Sequence, residues 1–452
     1  MNATLHLWDS GPSGSAAFLK PTIGPRPELG TEEAYLLRGC RAFLSLFFFA
    51  FIALSLSSPA ADAPLGSPDY RPNPAHPFGF RADGTGRFPA ATPPTEWSAT
   101  RNIRWSTAIG SGYASPILAG DFLIVASEPN FLTSLDRATG TVKWRIAIKP
   151  EDIADEAQRT AAAAYQPPKD GSGMAAATPV TDGTSIFAVF ANGVVSSITL
   201  DGKRNWTVGV DAEQGTAYGR SASPLLVDGK LIIHLGHLYA LDPATGRQLW
   251  ANNDAKPLYG SPAIMSVAGT NVLITPNGDV VRVADGTGVN SDLAHASYAS
   301  PVVENGVVYF LDQNCAGLRL DAKFKESTVW GAMLPGEVFG SALIHEGALY
   351  VVTGSGALCA FAIADKDRSD PLIDARSLLE GEGSPVAYGS LALAGKYLFF
   401  HSNVGDTFVL EATREAKLVS RNKLPAGSGA SPIFSGSNLF LRGGDKVYCI
   451  GP

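Results

Sequence analysis

The sequence is poor in charge and in cysteine, and both shortages limit what the chain can be. Charged residues make up only 17% of it, and its 35 Lys and Arg residues form no cluster or run. A nucleic-acid footprint or an anionic-membrane patch needs a basic surface, so no nucleic-acid partner is predicted. Of the 4 cysteines, Cys40 lies in the N-terminal leader, and the odd number that remains cannot form a complete disulfide framework.

Helical periodicity and familiar catalytic motifs are also missing. No segment keeps the period of about 3.6 residues for as long as a helical repeat requires. We find no H-E-x-x-H, no G-x-S-x-G and no phosphate-binding glycine loop. His234 and His237 lie in an apparent strand hairpin, where their side chains need not converge, so no metal site is predicted. The 48 Gly and 31 Pro residues are typical of a protein built from short strands and turns.

The N-terminus has the pattern of an export signal. Arg38 and Arg41 precede an apolar core over residues 42–56, and a small-x-small cleavage site ends at Ala63. The core is shorter than the roughly 20 residues of a membrane span. We therefore predict cleavage near Ala63 and a periplasmic or secreted product without stable membrane insertion. The chain then divides into an extension with its signal peptide, a Pro/Gly-rich lead-in and a folded domain, at residues 1–63, 64–100 and 101–452.

A short motif recurs through the folded domain. A small residue, then Ser or Thr and often Pro, begins an apolar run that ends near a Gly. Successive copies are 38 to 63 residues apart, and a period of roughly 40 to 50 residues is typical of propellers and solenoids. The Ser or Thr of the motif occupies eight positions: Ser115, Thr178, Ser223, Ser261, Ser300, Ser341, Ser390 and Ser431.

Each repeat has the composition of a four-stranded sheet. The third repeat, "SPLLVDGKLIIHLGHLYALDPATGRQLW", contains four apolar runs separated by turns. Four antiparallel strands repeated radially form a propeller blade, whereas a solenoid repeat is usually shorter. The eighth repeat has only three runs before Pro452, and Asn102 to Ile109 supplies a fourth. We predict an all-β fold, an eight-bladed β-propeller of four-stranded antiparallel blades closed by this N-terminal strand.

Aromatic residues precede the repeat Ser at several blades. The spacing is two residues in five repeats, and Tyr218 precedes Ser223 at a longer spacing. Two interpretations are open: the rings pack between blades as core, or they form a collar at the channel mouth that stacks on a flat ligand. The channel-mouth candidates are Tyr113, Tyr218, Tyr259, Tyr298, Phe339 and Tyr388.

A second motif carries a family resemblance. The segments "SLDRATGTVKW" and "ALDPATGRQLW" resemble the tryptophan-docking repeat of quinoprotein-type, PQQ-like propellers, and the lead-in "FGFRADGTGRFP" is similar to that of their secreted bacterial members. In such a motif the Asp caps a turn and the Gly supplies a positive backbone angle, here at Asp136 and Gly140 and at Asp242 and Gly246. The tryptophans are expected to wedge between blades, at Trp105, Trp144, Trp206, Trp250 and Trp330.

The resemblance implies two kinds of relative with the same fold. Quinone-dependent alcohol dehydrogenases hold PQQ over the channel with adjacent cysteines above it and a Ca²⁺ on Glu, Asn and Asp side chains. This chain has no adjacent cysteines, and no such ligand set can be matched in it. BamB-type scaffolds of outer-membrane protein assembly are lipoproteins, whereas this leader ends in "AADA" without a lipid-acceptor cysteine.

We therefore predict an exported binding or scaffold module without catalytic residues, metal or cofactor. Its predicted partner is a protein or peptide in the cell envelope, and it is expected to be a monomer. The alternative is a dehydrogenase that uses PQQ and calcium to oxidise an alcohol or sugar. An acid-led, Ala-rich insertion, Pro150 to Gly173, is predicted to form a short helix over blades one and two.

Overall fold

The described part of the chain is one β-propeller. A computed structural model describes residues 63–169, 171–212, 217–363, 370–379 and 387–452, so the predicted signal peptide lies almost wholly outside the described residues. The described strands form eight antiparallel blades, which confirms the predicted eight-bladed fold. Apart from them there is a 3-10 turn, Pro150–Asp152, and a helix, Glu156–Ala164. Within the described ranges no helix is long and apolar enough to cross a membrane.

Each of the first four blades is built from four strands that are consecutive in the chain. Blade one consists of Ile117–Ala119, Phe122–Ser127, Phe131–Asp136 and Val142–Ala147. Blade two consists of Val180–Thr181, Ser185–Val189, Val194–Thr199 and Arg204–Gly209. Blade three consists of Leu225–Val227, Lys230–His234, Leu238–Leu241 and Gln248–Asn252. Blade four consists of Ala263–Val267, Thr270–Ile274, Val280–Arg282 and Gly288–Asn290.

The last four blades include two strands from the N-terminal side. Blade five consists of Val302–Glu304, Val307–Phe310, Asn314–Leu320 and Glu326–Met333. Blade six consists of Leu343–His345, Ala348–Val352, Ala357–Ala362 and Ile373–Ser377. Blade seven consists of Arg87–Phe88, Ala392–Ala394, Tyr397–His401, Asp406–Glu411 and Leu418–Lys423. Blade eight consists of Ile433–Ser435, Asn438–Gly443, Lys446–Ile450 and Ile103–Ala108.

A closed circuit of hydrogen bonds joins the entrances of the eight blades. Each repeat Ser or Thr donates its backbone N–H to the side-chain hydroxyl of the next one, at 2.8 to 3.2 Å, and Ser431 donates to Ser115. These eight residues, which we call the hydroxyl ring, are all buried. A buried N–H without a partner is costly. The recurring hydroxyl therefore supplies an acceptor that each neighbouring blade requires.

Small residues allow the blades to converge on this ring. The residue before each Ser or Thr of the hydroxyl ring is Ala or Gly. A β-carbon added to Gly260 would lie 2.3 Å from the carbonyl oxygen of Ala299, and one added to Gly340 would lie 2.4 Å from that of Gly389. Real β-carbons do not approach so closely, so larger side chains would force the blades apart.

The closure between blades eight and one combines a strand and a buried cation. Ile103–Ala108 pairs antiparallel with the C-terminal strand, as predicted. The fully buried guanidinium of Arg442 donates to the carbonyl oxygens of Gly110, Ala114 and Ala126 at 2.8, 3.1 and 2.7 Å. Burial lowers the pKa of Arg442 to about 10, so it is still protonated at neutral pH. Blade eight is thus tied to blade one at its core and at its edge.

The lead-in crosses one end of the central channel. Arg87–Phe88 pairs in parallel with the first strand of blade seven, which gives that sheet a fifth strand beyond the predicted four. Phe78 exchanges two backbone hydrogen bonds with Thr181 of blade two, and Arg81 donates to the carbonyl oxygen of Ala342 in blade six at 2.6 Å. A segment bonded to the innermost strands of blades two, six and seven spans the channel.

The tryptophans of the second motif lie between blades. Rings on the outer strands pack against a turn glycine of the following blade: a β-carbon on Gly140 would lie 2.5 Å from the ring of Trp105, and one on Gly246 would lie 2.7 Å from that of Trp206. Asp136 and Asp242 accept backbone N–H bonds within these turns. In four of these tryptophans the indole N–H donates to a carbonyl oxygen of the following blade: Trp144, Trp206, Trp250 and Trp330.

Replacing Ser261 by Ala tests the hydroxyl ring. The change removes the acceptor of the Ser223 N–H, at 2.8 Å, and leaves a buried donor unpaired. We expect the free energy of unfolding in urea to fall by about 1–3 kcal/mol. Ser261→Thr is the control, because it keeps the hydroxyl as Thr178 does in blade two, and equal losses in the two variants would contradict the hydroxyl's role.

Replacing Arg442 by Met tests the closure. Three carbonyl oxygens lose a charge-assisted donor, so we expect a loss of at least about 3 kcal/mol of unfolding free energy. Arg104→Met is the matched control, because Arg104 is exposed on the closing strand of the same blade. Similar melting curves for the two variants would show that the closure does not depend on Arg442.

Candidate functional site

The opposite end of the channel opens into a cavity of about 580 Å³. The hydroxyl ring lines its lower wall, and all six predicted channel-mouth aromatic residues line its rim. From the lead-in, Phe80 forms its floor. A tight turn, in which Gly79 and Ala82 exchange two backbone hydrogen bonds, places Phe80 at this position. We call this space the collar cavity.

The six aromatic side chains form a continuous arc. Ring centroids are 6.0 Å apart for Tyr113 and Tyr388, and 5.0 Å for Tyr388 and Phe339. From Phe339 to Tyr298 the separation is 4.7 Å, and from Tyr298 to Tyr259 it is 5.3 Å with the rings stacked. Tyr218 ends the arc, 5.7 Å from Tyr259. Such contacts restrict the orientations of the rings, so each ring of the rim is held by its neighbours.

The arc combines the two interpretations that the sequence left open. The rings pack on one another across blades, yet Tyr113 and Tyr218 are 42% and 50% exposed. Burial raises the pKa of Tyr388 and of Tyr298, and the carboxylate of Glu337 adds to the shift at Tyr298. Phenols with raised pKa values stay neutral at physiological pH. Binding of a ligand by these residues remains a prediction.

Blade eight and the insertion complete the rim. Gly429 occupies the aromatic position in blade eight, and a β-carbon there would lie 2.7 Å from the Tyr113 ring, so its lack of a side chain lets Tyr113 and Tyr388 meet. On the other side, Ser172 donates its backbone N–H to the carbonyl oxygen of Tyr218 at 2.8 Å. The end of the insertion therefore closes the gap that the arc leaves.

The helix of the insertion packs on blade two. Gln158 of the helix accepts a hydrogen bond from the backbone N–H of Gly209 at 3.0 Å, and Asp152 pairs with Arg204 at 2.9 Å. Asp155 caps the helix by accepting from the N–H of Gln158. The predicted short helix is thus present; the sequence predicts it over blades one and two, and among the described residues its hydrogen bonds to the blades are made to blade two.

Sequence reasoning missed several residues of this site, and three of them shape it most. Phe80 belongs to the lead-in, whose path across the channel no repeat spacing indicates. Glu337 also lines the cavity, and its position two residues before Phe339 was the one available signal. Gly429 contributes by lacking a side chain, which a search for functional groups does not detect.

Other reactive side chains are buried away from the cavity. His234 is fully buried, and burial lowers its pKa to about 4. Burial raises the pKa values of the thiols of Cys315, Cys359 and Cys449, all of which are free. Among the described residues no group of three or more His, Cys, Asp or Glu side chains could hold a metal ion.

Comparisons with known proteins agree with this architecture. A sequence model of the family described as outer membrane protein assembly factor BamB matches residues 97–314. BamB of Moranella endobia (strain PCIT) is 23% identical over 350 residues, which are 75% of this chain and 62% of that relative's length. The match thus spans less than two thirds of the curated relative.

Solved structures show the same fold at low identity. BamB from Moraxella catarrhalis superposes with a TM-score of 0.55 at 14% identity, covering 77% of this chain and 99% of that one. The quinohemoprotein alcohol dehydrogenase of Comamonas testosteroni gives a TM-score of 0.55 at 11% identity, covering 83% and 80%.

The fold and the cavity define an eight-bladed β-propeller with an aromatic-rimmed channel mouth. The sequence matches add a resemblance. Residues 97–314 are similar to the family described as outer membrane protein assembly factor BamB, and the blades are similar to those of PQQ-like repeat β-propellers, a fold shared with BamB and with quinohemoprotein alcohol dehydrogenase.

Replacing Gly429 by Ala tests the packing of the rim. The added β-carbon would lie 2.7 Å from the Tyr113 ring and 3.0 Å from the β-carbon of Tyr388, so the two rings must separate. We expect a changed tyrosine signal in near-ultraviolet circular dichroism. Gly336→Ala is the control, because Gly336 also lines the cavity but has open space at its β-position. Identical spectra for both variants would contradict the contact.

Proposed function

We propose that the protein is an exported binding module that presents the collar cavity to a protein or peptide partner in the cell envelope. One observation carries the proposal: six aromatic rings and the hydroxyl ring converge on one cavity of about 580 Å³ at a channel mouth. Aromatic side chains dominate binding energy at protein interfaces, because they bury large areas at low entropic cost.

The rigidity of the frame supports binding rather than closure around a substrate. The rim rings are held by their neighbours, and the blades beneath them are joined by the hydroxyl ring. A preordered site loses little conformational entropy when a ligand binds. The matching family is described as outer membrane protein assembly factor BamB. A description as an assembly factor is consistent with binding to other proteins.

The alternative of a PQQ and calcium enzyme fits the lining less well. PQQ is a polycarboxylate, and in the described lining the charged side chain is the carboxylate of Glu337. Like charges repel in a cavity with limited water. Calcium prefers several carboxylate or carbonyl oxygens around one point, whereas the cavity offers mainly hydroxyls and rings. We therefore derive no oxidation step through PQQ.

A displayed library of random heptapeptides tests the proposal directly. We expect the purified protein to select a consensus peptide, and Tyr259→Ala combined with Tyr298→Ala to weaken its binding by about 30-fold or more, because two stacked rings of the rim are lost. Tyr397→Ala is the control, since Tyr397 begins the second strand of blade seven, outside the cavity lining.

Two results would count against the proposal. One is a selected peptide that binds the double variant and the wild-type protein equally well. The other is stoichiometric retention of PQQ with calcium after gel filtration, together with dye-linked alcohol oxidation, which would favour the dehydrogenase.

A further inference from the structure

The polar side chains around the collar cavity offer oxygen atoms only. Among the described lining residues, the polar groups are Ser and Thr hydroxyls, Tyr phenols and the carboxylate of Glu337, and none is a nitrogen. Hydroxyl and phenol groups can accept or donate a hydrogen bond, whereas the carboxylate only accepts. A ligand rich in N–H donors therefore finds acceptors on every side, and the Glu337 carboxylate favours such a ligand over an anion.

Glu337 supplies a negative charge to this lining. Its segment is anchored by buried Leu334 and Val338, and its carbonyl oxygen accepts the N–H of Gly354 at 2.7 Å. Its side chain is exposed, and within the described residues it forms no salt bridge. The charge influences the rim, because after burial it is the largest cause of the raised pKa of Tyr298. A fixed backbone thus holds an uncompensated carboxylate beside the arc.

The aromatic arc adds a second attraction for positive charge. The face of an aromatic ring carries negative electrostatic potential and attracts ammonium and guanidinium groups, and Tyr does so as well as Phe. Five of the six rim residues are Tyr, and Tyr259, Tyr298 and Phe339 lie in one continuous run. Rings and a carboxylate around one cavity are the combination that binds organic cations.

We propose that the collar cavity selects a Lys or Arg side chain of the partner peptide. The cationic group lies between the tyrosine faces and Glu337, and its N–H groups donate to phenol and hydroxyl oxygens. A lining of Ser, Thr and Tyr alone would serve a saccharide equally well, but the unpaired carboxylate favours a cation. This inference rests on the proposed function and specifies which residue of the partner enters the cavity.

The test uses peptides that differ at one position. The probe is the consensus peptide selected from the library, synthesised with Lys, norleucine or Glu at the residue that most affects binding. We expect the Lys peptide to bind about tenfold more tightly than the norleucine peptide by calorimetry. Its advantage should decrease between about 50 and about 300 mM NaCl, because salt screens the charge.

Glu337→Gln isolates the role of the carboxylate. We expect this variant to bind the Lys and norleucine peptides within about twofold of each other, with an unchanged melting temperature because the side chain is exposed. Glu346→Gln is the matched control: it removes the same charge from blade six, at the hairpin between its first two strands.

The outcomes separate the two proposals. Equal binding of Lys and norleucine peptides, with sensitivity to the Tyr259 and Tyr298 changes, would overturn cation selection and leave peptide binding intact. Failure of every peptide to bind would overturn both. Binding of cellotetraose or maltotetraose at the rim, unaffected by Glu337→Gln, would also overturn the inference and identify a saccharide site.

Discussion

The hydrogen bond between one blade's Ser N–H and the next blade's hydroxyl is the contact on which the rest of the molecule depends. It occurs at every junction of the ring, including the junction of Ser431 with Ser115. Each hydroxyl accepts a hydrogen bond from the neighbouring blade and not from its own. No single blade can therefore supply a partner for the buried N–H at its own entrance. The blades therefore form as a closed set, and the residue type at this position is dictated by a partner far away in sequence.

The same circuit fixes where the aromatic rim lies. Once the Ser positions are held within hydrogen-bond distance of one another, the residue two positions earlier has to emerge at the channel mouth of its blade. Tyr259 and Tyr298 meet there as stacked rings because Ser261 and Ser300 are bonded below them. Only Ala or Gly occupies the position between the aromatic residue and the Ser. One short motif therefore accounts both for the close packing at the axis and for the aromatic rim.

The sequence predicts the propeller and the rim well because both repeat. Spacing identifies the blades, and the eighth blade lacks a strand that Ile103–Ala108 provides. Features that occur only once in the chain are not predicted in this way. In the sequence, Arg442 is indistinguishable from an ordinary strand residue, because the three carbonyl oxygens that it binds are brought to it only by the fold. Phe80 reaches the cavity only because the lead-in crosses the channel. Such contacts depend on tertiary geometry that no local pattern encodes.

The chemistry of the cavity follows from elements outside the repeat. The repeats alone give a neutral channel of hydroxyls and rings. The lead-in adds Phe80 to the lining on the side away from the rim. Glu337 adds a carboxylate to the lining, two residues before the rim residue Phe339. Because neither Phe80 nor Glu337 belongs to the hydroxyl ring, the floor and the charge of the cavity can change without disturbing the contacts that hold the blades together.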